Sequence, residues 1–169
     1  MNDTETTSED LSVNVDVLDL GTPDSDLESN ILITSVGSTA GSSNAMSSQG
    51  GSLSINNNGT PADSTDDYVV YTPLADYFGN DTLYYVITDA GGLRDTAMVV
   101  ITVTAVNDAP VIVDGSSTPI DTVTASTPNS TPVSVCINAE DVDGDVLDVT
   151  NSFGGPSNGS ISNLSLIHI

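Results

Sequence analysis

Basic side chains are almost absent from this chain: one, Arg94, stands against 24 acidic residues, for a formal charge of −23 over 169 residues. With no Lys/Arg cluster to neutralise phosphates, nucleic-acid binding is excluded. An anionic membrane surface is excluded as a partner for the same reason. Glutamate is scarce too: 20 of the 24 acids are Asp and only 4 are Glu. Asp favours turns and caps over helix interiors, so this balance argues against a helical protein. The single cysteine, Cys136, leaves no internal disulfide to form. No apolar run reaches transmembrane length, and no basic-then-apolar leader opens the sequence, so membrane insertion is not expected and any export signal lies outside it. Tryptophan is missing and aromatics make up 4% of residues, which weighs against an aromatic sugar-binding platform. The natural partners of such a chain are cations.

What is present is strand pattern. Short runs rich in Val, Ile, Thr and Tyr alternate with period two and are separated by Gly, Asn, Asp and Pro. Strands are expected at residues 3–8, 11–20, 30–36, 51–56, 67–72, 83–88 and 96–106, the last carrying Ala97, Val99, Ile101, Val103 and Ala105 on one face. Seven such strands predict an antiparallel β-sandwich. The Gly/Ser-rich residues 37–51 read as a mobile loop. Tyr71, Leu83, Tyr85 and Ile87 read as core and corner packing, and Gly91-Gly92 as a tight turn. After Asn107-Asp108-Ala109-Pro110 a new alternating run begins at Val111, with further strands expected at 132–138 and 146–149 around an acidic loop at 140–145.

Residues 68–110 contain, in order, Y-T-P, D-Y-F-G-N-D, T-D-A-G-G and V-N-D-A-P, and S-E-D-L-S-V-N-V-D-V-L lies upstream. These residues closely resemble the cadherin-like, immunoglobulin-like tandem repeats of large bacterial surface and biofilm adhesins. The later A-E-D-V-D-G-D-V-L resembles the acidic loop of the same repeats. One departure stands after V-D-V-L, where the family often has Asn-Asp and this chain has Asp19-Leu20-Gly21. The resemblance implies a complete immunoglobulin-like (cadherin-like) β-sandwich repeat over 1–108 and a partial second repeat over 109–163. The ending L-S-L-I-H-I, residues 164–169, breaks the pattern. It resembles translated sequencing-adapter read-through, the alternative being an ordinary strand cut by a fragment boundary. The only His, His168, lies in that ending, so Ser/His/Asp chemistry is not expected and no enzymatic activity is assigned.

Asp141, Asp143 and Asp145 form D-x-D-G-D in a strand-to-strand loop. Two carboxylates about 4 Å apart repel by roughly 4 kcal/mol at an effective dielectric near 20. A hard cation with six to eight oxygen ligands reverses that sign. An EF-hand would need Gly at loop position six and Glu at twelve; counted from Asp141 these are Val146 and Ser152, and the flanks are strands. A solvated acidic turn is the plainer reading. Strands in a sandwich run alternately up and down, so loops after odd-numbered strands share one pole. That puts Glu9, Asp10, Asp76 and Asp81 at the pole where strand seven ends, with Asn107 and Asp108 following. Asp24, Asp26 and Asp89 fall at the opposite pole. By the same parity the second repeat's Asp141, Asp143 and Asp145 lie at its own upper pole. The resemblance implies calcium at the joint between repeats, as in cadherins. The chain is then a calcium-binding spacer or adhesion module, extracellular or at the cell surface. Its partners are calcium, neighbouring repeats of the same polypeptide, and an unidentified adhesion target on a cell surface or polysaccharide. The other class weighed is an accessory or carbohydrate-binding module of a secreted hydrolase.

Overall fold

The computed structural model describes residues 3–18, 31–114, 116–120 and 138–147. The chain divides into two units, Met1–Val106 and Asn107–Ile169. The first unit contains seven strands: β1 (Asp3–Ser8), β2 (Val13–Val15), β3 (Leu32–Gly37), β4 (Ser52–Asn56), β5 (Tyr68–Thr72), β6 (Gly79–Thr88) and β7 (Arg94–Thr104). Four form one sheet in the order β1-β7-β6-β3 and three form another in the order β2-β5-β4. There is no helix among the described residues. The fold is the expected immunoglobulin-like β-sandwich.

The period-two pattern explains the core. Val69 and Tyr71 of β5, Leu83 and Tyr85 of β6, and Val99, Ile101 and Val103 of β7 alternate inward and are buried. Val15, Val17, Ile33, Val36 and Leu53 complete the cluster. Ile33 and Val36 are three residues apart, a spacing that plain alternation would put on opposite faces. The pairing of β3 with β6 shifts register between Ile33 and Ser35. The bulge inserts one residue and turns both side chains to the same face.

The sandwich is antiparallel except at one edge, where β1 pairs parallel with β7, from Asp3 opposite Val99 to Ser8 opposite Thr104. The reason is strand parity. Every antiparallel pair, β2/β5, β3/β6, β4/β5 and β6/β7, joins an odd strand to an even one. Strands one and seven are both odd and run the same way, so as neighbours they can only pair parallel. The chain then crosses from one sheet to the other between Ser8 and Val13, through Asp10 at φ 60°.

Strand limits differ from expectation in two places. β2 ends at Val15, because Val17 and Leu18 form a turn closed by the Val17 N–H on the Val15 carbonyl. β6 begins at Gly79, four residues before Leu83, so Asn80-Asp81-Thr82 lies in strand rather than turn.

Residues 37–51 are a folded cap, not a free loop. Ala45 N–H bonds the Val36 carbonyl, Leu53 N–H bonds the Ala45 carbonyl, and Ser48 N–H reaches the Thr82 carbonyl at 2.9 Å. Ser47 is buried. The sequence signal for mobility was composition alone, which does not register that small hydroxyl side chains can anchor a segment from inside.

In the second unit β8 (Val111–Val113) and β9 (Asn138–Glu140) pair antiparallel. β9 ends at Glu140, the first residue of the stretch read as loop. Val146 and Leu147 lie outside any strand, so the strand expected from 146 does not start there. The remaining readings for this unit, including Cys136 and residues 164–169, fall outside the described residues.

Candidate functional site

Strand parity places the acidic loops of the first unit. The β1–β2 connection carries Glu9 and Asp10, the β5–β6 connection carries Asp76, and β7 ends at the same pole. Glu9 N–H continues the β1 ladder onto the Thr104 carbonyl at 2.9 Å, and Glu9 Oε1 accepts the Val106 N–H. The Glu9 side chain is therefore turned inward and buried, at 3% exposure. Asp10 and Asp76 are exposed and adjacent, the Asp76 N–H lying 3.4 Å from Asp10 Oδ1. Both sit at positive φ, 60° and 57°, a region Asp enters more readily than most residues because its short side chain bonds locally. Glu9, Asp10 and Asp76 thus share the pole where the chain leaves the unit, Glu9 turned inward and Asp10 beside Asp76 at the surface. Arg94 opens β7 at the opposite end. Ten residue steps at about 3.3 Å put it roughly 33 Å away along the strand, several times the Debye length of about 8 Å at physiological salt. The chain's only basic side chain cannot neutralise this pole.

Asp81, expected at the same pole, is instead in the interior with 0% exposure. It alternates with Leu83 and Tyr85 on the inward face of β6. Its Oδ1 accepts hydrogen bonds from Ser48 Oγ at 2.8 Å, Gln49 N–H at 2.9 Å and Thr82 N–H at 2.7 Å. Its Oδ2 accepts from Ser47 Oγ at 2.5 Å and Tyr71 Oη at 2.9 Å. Burial alone pushes this carboxyl up, but the donors from Ser47, Ser48, Gln49 and Tyr71 outweigh it and hold it below the ordinary Asp value. Burial and the same carboxylate push the Tyr71 hydroxyl up. Asp81 is a structural anchor that ties the 37–51 cap to the core, with its oxygens occupied by protein donors. The signal was legible as Asp81, Leu83 and Tyr85 at i, i+2 and i+4, but the Asn-Asp-Thr triplet reads as a turn when taken alone.

Asp89 lies at the opposite pole in the β6–β7 turn. Its Oδ1 accepts Leu93 N–H at 2.7 Å, and its carbonyl accepts Gly92 N–H at 3.1 Å. Gly92 supplies the φ of 86° this turn needs. Asp24 and Asp26 fall outside the described residues.

In the second unit Asp108 N–H donates to Asp143 Oδ2 at 2.7 Å. Asp141 Oδ1 accepts the Asp143 and Asp145 N–H groups at 3.0 and 3.2 Å, and Gly144 takes φ 76°. The D-x-D-G-D stretch is thus a loop whose backbone is folded around Asp141, with Asp143 holding the segment after Asn107. Asp145 and Asn107 are exposed. All of these groups offer hard oxygen donors, the chemistry calcium takes and thiophilic metals do not.

Residues 1–102 match a family model described as Bacterial Ig domain, more than half of the 169 residues. No curated protein and no solved structure matches the chain. Domains of that family are structural and adhesion-type modules of surface or extracellular proteins, and are typically non-catalytic. With the seven-stranded two-sheet core and this match over the first unit, the chain belongs to the bacterial Ig domain family.

Proposed function

We propose that this chain is a cadherin-like spacer from a large, biofilm-type surface adhesin, and that calcium stiffens the joint between its repeats. In this reading calcium is shared by Glu9, Asp10 and Asp76 of the first repeat with Asn107, Asp108, Asp141, Asp143 and Asp145 of the next. Asp81 is left out, because its oxygens already accept five hydrogen bonds. The carrying observation is the pole of the first unit, where Glu9, Asp10 and Asp76 gather without a basic neighbour and β7 leads directly into Asn107 and Asp108. Carboxylates so placed repel unless a cation joins them. Calcium then converts a string of repeats into a rod that projects a distal binding domain toward a cell surface or polysaccharide.

A site of this kind in millimolar calcium needs only a modest affinity, on the order of 0.1–1 mM. Tenfold excess over that constant stabilises the folded form by about 1.4 kcal/mol, which raises the melting temperature by roughly 5–10 °C for a domain of this size. Asp143→Ala is expected to remove most of that calcium-dependent rise. Asp95→Asn, at the start of β7 and at the far end from the pole, is expected to leave it intact. A calcium-dependent rise that is unchanged by Asp143→Ala overturns the joint.

A further inference from the structure

We propose a second cation site in the first unit, in the β4–β5 loop, where Asp67 holds a hard divalent cation of the calcium class. The loop, residues 57–67, reads N-N-G-T-P-A-D-S-T-D-D and contains three carboxylates, Asp63, Asp66 and Asp67. It follows β4, an even strand, so it lies at the pole opposite Glu9, and the proposal stands independently of the joint.

The pointer to a ligand is Asp67 itself. Its side chain is 94% buried, at 6% exposure. Its Oδ1 is enclosed and has no hydrogen-bond partner among the described residues. Asp81 shows how this chain treats a buried carboxylate that the protein itself satisfies: five donors surround it. Asp67 Oδ1 receives none. Breaking the pairing of a buried charge is strongly destabilising, so a buried carboxylate without a partner points to something else supplying the positive charge.

The neighbours aggravate the cost rather than relieve it. Asp66 and Asp63 add negative charge, and no Lys, Arg or His lies between residues 1 and 93. Burial first, then Asp66 and Asp63, push the Asp67 carboxyl above its ordinary value. For an acid raised in the folded state the sign is destabilising: the charged form carries a penalty that disappears as pH falls below the folded value.

The other two carboxylates are held in place but not used up. Asp66 accepts from Thr60 Oγ1 at 2.7 Å and from Asn58 Nδ2 at 3.1 Å. Asp63 Oδ1 accepts the Thr65 N–H at 3.0 Å and Thr65 Oγ1 at 2.6 Å. A carboxylate has about four acceptor positions, so each keeps capacity for a bound water. Asp63, Asp66 and Asp67 are not drawn together tightly enough to ligate one ion directly. The arrangement fits a partly hydrated cation with Asp67 as its direct carboxylate and the other two acting through water, a mode hard cations accept.

The test uses the full 169-residue chain in the Asp143→Ala background, with calcium chloride as the probe and a chelator as the baseline. A residual calcium-dependent rise in melting temperature is expected, and adding Asp67→Asn is expected to abolish it. In chelator at pH 7, Asp67→Asn is expected to melt higher than its parent, because the unpaired charge is gone. Equal calcium responses with and without Asp67→Asn overturn the proposal, as does the absence of any residual response. A second readout does not depend on the folding of that variant. Tyr68 directly follows Asp67, so terbium bound there is sensitised through that ring, and Tyr68→Phe is expected to cut the emission at least twofold. Unchanged emission counts against the site.

Discussion

Asp81 and Asp67 are both buried Asp side chains of one sandwich, and they differ in what surrounds them. Asp81 is a case in which hydrogen bonding wins over desolvation. Its five donors include two backbone N–H groups, and bonds to a charged acceptor contribute about 1.5–3 kcal/mol each where the alternative is an unmade bond. Asp81→Asn keeps the shape and removes the charge, and turns an amide N–H₂ toward groups that are themselves donors. A loss of roughly 3 kcal/mol is expected from denaturant unfolding at pH 7. The pH dependence follows from the lowered folded value. The stabilisation is fully present above the unfolded Asp pKa of about 3.9 and is lost as pH falls through the folded value. The gap between wild type and Asp81→Asn should therefore narrow below about pH 4. A gap that is constant from pH 7 to pH 3 would show that the charge of Asp81 is not what holds the cap.

At the scale of elements, the 37–51 cap and strand β5 meet at Gly51. A Cβ at that position would lie 2.7 Å from Tyr71 Cε2, 2.8 Å from the Thr72 carbonyl oxygen and 2.9 Å from Ser47 Oγ. Backbone and a buried ring cannot yield cheaply, and Ser47 and Tyr71 are the two donors to Asp81 Oδ2. Gly51→Ala should cost about 2–3 kcal/mol and should be less than additive with Asp81→Asn, since both break the same network. Gly59→Ala is the comparison for a loop glycine with open space around its Cβ direction, although its φ of 78° carries a cost of its own, roughly 1 kcal/mol.

Most elements were legible because period-two alternation is a direct image of a half-buried strand: Val99, Ile101 and Val103 announce both strand and face. Three things were not. The bulge in β3 depends on pairing with β6, which no local pattern records. The parallel β1–β7 edge depends on which strands are neighbours, although parity fixes its sense once they are. The 37–51 cap depends on a carboxylate that lies 30 residues or more further along the chain. In the candidate site, parity found the shared pole of Glu9, Asp10 and Asp76 but not its depth. It therefore grouped interior Asp81 with surface Asp10. It gave no reason to single out Asp67, whose significance lies wholly in burial without a partner.

For the whole molecule, the charge of −23 is the dominant fact, and strand order decides where it concentrates. Self-repulsion of this size opposes compaction, and one distant Arg does little against it. Cations are therefore proposed as part of the working state, at the pole where the chain leaves the first repeat and at Asp67. Salt can screen exposed pairs beyond about 8 Å, so a specific role for calcium must be separated from ionic strength. The most direct measurement is small-angle X-ray scattering of the 169-residue chain in calcium and in chelator, at matched ionic strength. Calcium is expected to reduce the flexibility seen in the wild-type profile, and Asp143→Ala is expected to scatter alike in both conditions. Wild-type profiles that superimpose with and without calcium would contradict the stiffened joint.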